Sequence, residues 1–130
     1  MNTEFNYDGI LADVCARLKD ALGVEVYAGS RPAAVERARN AFAVASLGGG
    51  ITDDGDTYQS SRLLVSLFAR DRQGGIEDTP ALGALVRRCA GLFPLSCGLY
   101  VAQDVRMLYS GADTLGFHAA SVQVALIIRK

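Results

Sequence analysis

The chain has 130 residues, of which 50% are hydrophobic and 21% are charged. A chain of this length and composition folds as about one domain with its own core, which excludes a disordered protein. Thirteen basic residues against fourteen acidic ones give a net charge of -1, so the sequence lacks the basic excess of an electrostatic nucleic-acid binder. No apolar run approaches the ~20 residues that span a bilayer, and we expect no membrane association.

The amino-terminal residues 1–5 have neither the basic nor the apolar region of a signal peptide, so we expect the protein to fold inside the cell. The three cysteines, Cys15, Cys89 and Cys97, form an odd set without a C-x-x-C spacing. That pattern favours reduced, buried thiols over a zinc site or a disulfide framework. We therefore predict no metal and no cofactor.

The first predicted element is a helix. Apolar residues over 10–22 recur at helical spacing, Asn6 or Asp8 is suited to cap the start, and Gly23 is suited to stop the helix.

Turn residues divide the rest of the chain into five strands and a second helix. Thr79-Pro80 indicates the start of that helix as a cap followed by a first-turn proline, and Pro94 ends it. The strands are predicted over 24–28, 41–47, 58–70, 99–109 and 117–129, with turns at 29–32, 48–57, 71–78 and 110–113. The segment 33–40 is compatible with a helical turn or a loop.

This order of elements predicts an α+β fold. We expect a single domain over residues 1–130, with a mainly antiparallel sheet and two helices packed on one face. The strand over 58–70 is apolar on both faces, which indicates that both faces are covered.

The sequence offers no constellation for catalysis, and we expect a protein that is not an enzyme. The single histidine, His118, lies at the start of a strand, where the pattern places no nucleophile beside it. The glycines at 48–50 lack the Lys-Ser/Thr ending of a P-loop. The aspartates within 53–56 lack the spacing of a calcium loop, and Leu64 stands where such a loop needs a glutamate. A weak divalent-cation contact stays open as an alternative where several subunits bring such acidic tips together.

Arginine supplies most of the positive charge, because Lys19 and Lys130 are the only lysines. Two interpretations of the arginines stay open. They are either dispersed, solvated surface charge or one half of an interface between identical subunits. The other half of that interface would be the acidic tip of the hairpin predicted around 48–57. A contact between unlike patches of identical subunits closes into a ring when the rotation permits. The candidate interface residues are Arg31, Arg37, Arg39, Arg70 and Arg72 on the basic side, and Asp53, Asp54 and Asp56 on the acidic side.

The layout of nearly the whole chain resembles the tail terminator (minor tail) protein family of long-tailed bacteriophages, which includes the lambda tail terminator. The resemblance is carried by the order of elements. These are the first helix, a strand into a turn with Gly29, Arg31 and Pro32, the small-residue strand 41–47, a Gly- and Asp-rich hairpin, the second helix, and two terminal strands separated by Ser110-Gly111-Ala112-Asp113.

The resemblance implies a structural role in a virion. Such proteins form a hexameric ring that caps the head-proximal end of the tail tube, ends tube polymerisation and docks the head-tail connector or neck proteins. DNA only passes through the lumen, and the acidic tip would suit a lumenal or inter-ring position. The strands 58–70 and 117–129 are the candidates for sheet pairing between subunits. We expect assembly in the host cytoplasm and a final location in the tail.

Other functions stay open at this point. Within the same class, the chain is compatible with a neck or head-completion protein or a tail tube subunit, although 130 residues is short for tube stacking loops. From another class, it is compatible with a small bacterial ligand-binding α+β domain. A six-fold ring separates the first class from the dimer or monomer expected of the second.

Overall fold

A computed structural model gives the fold and describes residues 6–31, 39–53, 58–113 and 115–129, without the side chains of 49–53 and 113. The elements are α1 (Tyr7–Leu22), β1 (Glu25–Ala28), β2 (Ala41–Asp53), β3 (Tyr58–Arg70), α2 (Thr79–Gly91), β4 (Leu95–Ser96), β5 (Tyr100–Asp113) and β6 (Phe117–Arg129).

Helix α1 has the predicted ends. The side chain of Asn6 accepts a hydrogen bond from the backbone N–H of Gly9 at 3.3 Å. At the other end Gly23 adopts φ +68°, and its N–H donates to the carbonyl of Lys19 at 2.9 Å. That left-handed conformation favours glycine, which is why the helix ends there. The buried stripe consists of Ile10, Leu11, Val14, Leu18 and Leu22.

Helix α2 begins with a different cap from the predicted one. Asp78, and not Thr79, accepts the hydrogen bond from the backbone N–H of Ala81, at 3.2 Å. The hydroxyl of Thr79 instead donates to the carboxylate of Glu77 at 2.8 Å. A carboxylate at the cap position also interacts favourably with the positive end of the helix dipole.

The six strands of the described residues form one sheet in the order β1-β2-β3-β6-β5-β4. The predicted α+β fold is confirmed, with one qualification: the sheet is mixed, because β1 pairs with β2 in parallel and the other pairs are antiparallel. The connection over residues 29–40 is long enough to return the chain to the same end of the sheet, as a parallel pair requires.

Two strands are longer than the sequence predicts. Strand β2 continues through the predicted turn 48–57 as far as Asp53, which lies opposite Gln59. Strand β5 continues through the predicted turn 110–113, and Ala112 lies opposite His118. The glycines within these stretches coincide with register shifts, so they mark bulges in long hairpins and not the ends of strands.

The prediction that β3 and β6 pair with neighbouring subunits is wrong, because both strands are internal. Strand β3 lies between β2 and β6, and β6 pairs with it from Phe117 opposite Arg70 to Arg129 opposite Tyr58. Among the described residues, the unpaired edges belong to the terminal strands β1 and β4, to β2 beyond its short pairing with β1, and to β5 beyond its short pairing with β4.

Both helices pack on one face of the sheet, as predicted. Their apolar stripes share one core with the side chains of β3 at Leu63, Val65 and Leu67, and with those of β6 at Val122 and Val124. The opposite face carries a second, smaller cluster of Phe42, Val44 and Phe117. Because neither helix of the described ranges packs on this opposite side, we call it the helix-free face.

Candidate subunit interface

Two of the predicted interface arginines cover the aromatic cluster of the helix-free face. The rings of Phe42 and Phe68 stack with centres 4.5 Å apart, and Phe117 meets Phe42 edge-on at 5.1 Å. The guanidinium of Arg31 lies 5.1 Å from the centre of the Phe42 ring, and that of Arg70 lies 4.6 Å from the Phe117 ring. These are cation–π distances, so both arginines contribute to packing within the subunit.

Arg70 also ties the start of β2 to the end of β3. Its Nε and Nη2 donate to the backbone carbonyl of Arg39 at 3.0 and 2.8 Å. The structure therefore brings Arg31, Arg39 and Arg70 together at one end of the sheet. The sequence analysis selected these three residues as interface candidates by their charge, and it did not indicate that they lie close together.

The other predicted interface residues lie elsewhere or outside the description. Arg72 lies in the 71–78 loop, where its Nη2 is 3.5 Å from Asp78 Oδ1. Asp53 ends β2, and its side chain is outside the description. Arg37, Asp54 and Asp56 fall outside the described residues.

Among the described residues, several exposed large hydrophobic side chains lie together on the unpaired edge of β5. Its partner β4 reaches only Val101 and Ala102, so no described strand pairs with the outer side of β5 from residue 103 onward. Met107 and Tyr109 are 60% and 67% exposed, and Leu108 and Val105 are exposed as well. Met107 lies opposite Val122, on the helix side, whereas Leu108 lies opposite Ser121, on the helix-free face. Both sides of this edge are therefore apolar, which is a feature of protein interaction sites.

A hydrogen bond fixes the position of this edge against the 71–78 loop. The hydroxyl of Tyr109 donates to Glu77 Oε1 at 2.6 Å. The hydrogen bond from Tyr109 has the larger effect and the one from Thr79 the smaller, and together they hold the pKa of the Glu77 carboxyl below its ordinary value. The same bond raises the pKa of the Tyr109 phenol.

The single histidine supports the same loop. His118 Nδ1 and Asp71 Oδ1 lie 2.5 Å apart, and both side chains are largely buried. The backbone N–H of Asp71 also donates to the carbonyl of Gly116 at 2.9 Å, which ties the turn before β6 to the end of β3. His118 thus has a positioning role in the fold.

A groove opens on the helix-free face where β5 bulges. Gln103 lies opposite Ala125 and Arg106 opposite Gln123, so two residues of β5, Asp104 and Val105, face one residue of β6. The groove has a volume of about 460 Å³ and is lined by Arg62, Asp104, Val105, Arg106, Gln123, Val124 and Ala125. We call it the Arg62–Arg106 groove.

Sequence reasoning missed both the apolar edge and this groove. Val105, Met107 and Leu108 have the ordinary appearance of a strand, and Arg62 and Arg106 are far apart in the sequence. An unbroken apolar run at 107–109, without alternation, was the one signal that both sides of β5 are apolar.

The described residues hold no group of three or more His, Cys, Asp or Glu side chains placed to bind a metal ion. The three cysteines are free, with Cys89 buried and the others partly buried. In the part of the chain that the structure describes, every helix is too short or too polar to cross a bilayer.

No family model and no curated protein matches the sequence. Among solved structures, the chain is similar to a chain of the virion of the native gene transfer agent particle, with a TM-score of 0.57 and 13% sequence identity. The likeness covers 98% of this chain and 100% of that chain. At this identity the likeness concerns the fold, and it extends over both chains from end to end.

Proposed function

We propose that this chain is a non-enzymatic structural protein of a phage-like particle, and that it forms a hexameric ring at the head-proximal end of the tail tube. The observation that carries the proposal is the end-to-end likeness in fold to a chain of a gene transfer agent virion. The order of elements, which resembles that of tail terminators, supports the more specific role.

The edge of β5 supports self-assembly. In a single subunit, backbone donors and acceptors along this edge and the side chains of Met107, Leu108 and Tyr109 are left to solvent. Such an edge favours association, and a closed ring of identical subunits covers every copy of it without leaving one at an end.

Termination of the tube follows from the geometry of such a ring. One face of the ring matches the end of the tube, and the other face matches head-tail connector or neck proteins. Growth stops because the exposed face no longer reproduces the end of the tube. DNA passes through the lumen without specific contact, in line with the net charge of -1.

Native mass spectrometry over a range of concentrations, with and without magnesium, tests this function first. A hexamer that appears as a ring by negative-stain microscopy supports the proposal. A dimer under every condition contradicts it and favours a ligand-binding domain.

Addition of the protein to growing tail tubes tests the specific role. A terminator fixes tube length when it binds, even if the free chain is monomeric. Stacking of this chain into tubes of its own indicates a tube subunit, and binding to the connector without any effect on tube length indicates a neck protein. Either result contradicts the terminator role.

A further inference from the structure

The Arg62–Arg106 groove contains two arginines that the rest of the described chain does not neutralise. Arg62 and Arg106 are exposed, and neither forms an ion pair or hydrogen bond with a described residue. Several other arginines are engaged within the subunit: Arg17 with Asp13, Arg72 with Asp78, Arg88 with the carbonyl of Leu22, and Arg129 with the carbonyl of Cys97.

The sheet places these two arginines on either side of the same strand. Arg62 lies on β3 opposite Ala125, and Arg106 lies on β5 opposite Gln123, with β6 between them. Gln123 and Ala125 alternate with the core residues Val122 and Val124, so both arginines face the helix-free side. Two guanidinium groups thus flank the groove against one carboxylate, that of Asp104.

A second groove near the end of α1 lacks this excess charge. It is lined by Lys19, Asp20, Glu25 and Arg39 among others, and Lys19 Nζ already lies 3.5 Å from Glu25 Oε2. Of the two grooves, the Arg62–Arg106 groove is therefore the one suited to an anionic partner.

The chain itself contains a matching anionic segment. Residues 53–56 include Asp53, Asp54 and Asp56, and the sequence from 48 to 61 has no basic residue. Planar guanidinium groups bind carboxylates in a bidentate geometry, which makes such a segment a suitable occupant.

Within one subunit this segment starts far from Arg106. Asp53 lies opposite Gln59, which pairs with Ile128, whereas Arg106 pairs with Gln123. Five residues along β6 (128 to 123) correspond to about 17 Å, and the three strand spacings between β2 and β5 add about 14 Å across the sheet. A neighbouring copy has no such restriction.

We propose that the Arg62–Arg106 groove of one subunit binds the acidic segment 53–56 of the next subunit in the ring. This inference rests on the proposed function, and it identifies a contact through which neighbouring subunits recognise each other. The contact is heterologous, because groove and segment are different parts of the chain, as ring closure requires.

Charge substitutions test the contact by native mass spectrometry. We expect the double substitution Arg62→Glu with Arg106→Glu to prevent ring formation at concentrations where the wild type forms it. Arg87→Glu is the matched control, because Arg87 is an exposed arginine of α2 and does not line the groove. A ring that forms equally well with both groove arginines reversed contradicts the inference and leaves the proposed function intact.

Asp104→Asn tests the sign of the effect. Asp104 has φ +62°, a left-handed conformation that asparagine also tolerates, so the backbone of the bulge is kept. Loss of this carboxylate removes the negative charge from the groove lining, and we expect ring formation at a several-fold lower concentration. Ring formation that requires a higher concentration contradicts the inference.

A zero-length carbodiimide cross-link tests the contact independently of ring formation. One copy carries Arg62→Lys together with Asp53→Asn, Asp54→Asn and Asp56→Asn, and the other copy has the natural acidic segment. We expect an amide bond between the introduced lysine and the acidic segment of the other copy, found by peptide mass spectrometry. The same mixture with Arg87→Lys in place of Arg62→Lys is the control.

Two further results contradict the inference, one from the cross-linking and one from a DNA-binding assay on the same variants. One is the absence of the intersubunit cross-link in a mixture that forms rings. The other is binding of double-stranded DNA that depends on Arg62 and Arg106 while ring formation does not, which assigns the groove to phosphates. A wild-type chain that forms no ring, alone or on tail tubes, contradicts the proposed function, and the cross-link then shows separately whether the contact exists.

Discussion

At the scale of single residues, a buried tyrosine joins β5 to the exposed side of α1. The hydroxyl of Tyr100 donates to Asp13 Oδ2 at 2.7 Å, and Arg17 Nε donates to the same oxygen at 2.8 Å. Burial by itself raises the pKa of Asp13, but the hydrogen bonds from Tyr100 and Arg17 outweigh it and leave the pKa below the ordinary value. The ionised form of Asp13 is thus the one that the fold favours.

We expect Tyr100→Phe to lower the free energy of unfolding by about 1 kcal/mol at neutral pH, since it removes one hydrogen bond to a partly exposed carboxylate. A group whose pKa is lowered on folding contributes stability above its unfolded pKa and loses it as the pH falls through the folded value. The deficit of the variant should therefore shrink at about pH 3. Urea unfolding followed by circular dichroism measures it, with Tyr58→Phe at an exposed tyrosine as the control. An equal deficit at both pH values contradicts this account.

The thiol of Cys89 gives a second test at this scale. Cys89 is fully buried, and burial raises its pKa to about 12. A variant with Cys15→Ser and Cys97→Ser retains this one thiol, and we expect it to react with a thiol reagent only when the chain unfolds. Fast labelling of the folded variant contradicts the burial of Cys89.

At the scale of elements, the apolar edge of β5 is expected to govern association and not the stability of the subunit. Leu108→Lys and Met107→Lys place a charge on opposite sides of this edge. Because both side chains are exposed, we expect the stability of the single subunit to change by less than about 0.5 kcal/mol. Ring formation should be weakened most by the variant on the side that the neighbouring subunit covers.

Native mass spectrometry and thermal unfolding of the same samples separate the two effects. Ala16→Lys, at an exposed position of α1, is the matched control for the added charge. Rings that form normally in both β5 variants contradict the assignment of this edge to the interface.

The elements differ in how much of them the sequence predicts, and the reason is the range of the interactions involved. The caps of α1 depend on residues within a few positions of each other, and the sequence alone predicted Gly23 at the end and Asn6 as one of two candidates, with Asp8, at the start. The order of strands depends on pairing between distant residues, such as Arg70 with Phe117. The residue pattern indicates which faces of a strand are apolar, both faces in the case of β3, but not which strands lie at the edge of the sheet. The predicted sheet pairing between subunits through β3 and β6 was therefore wrong.

The candidate interface shows the same limit. Charge alone singled out Arg31 and Arg70, but the rings that they cover, Phe42 and Phe117, are separated by most of the chain. Arg62 and Arg106 were not predicted as interface residues, because no motif in the neighbouring sequence distinguishes them from other surface arginines. They form a site only because β6 lies between β3 and β5.

At the scale of the whole molecule, assembly links stability to concentration. Only folded subunits enter the ring. A higher protein concentration therefore favours the ring and stabilises the folded state by mass action. For subunits that unfold from a ring, each tenfold increase in concentration adds about 1 kcal/mol per subunit, which corresponds to about 4 °C in melting temperature for a chain of this size. We expect this dependence for the wild type by scanning calorimetry. We expect none for the variant with Arg62→Glu and Arg106→Glu, since its subunits unfold from the monomer. If the melting temperature of the wild type stays constant where native mass spectrometry detects a ring, ring formation does not stabilise the folded subunit, which contradicts this account.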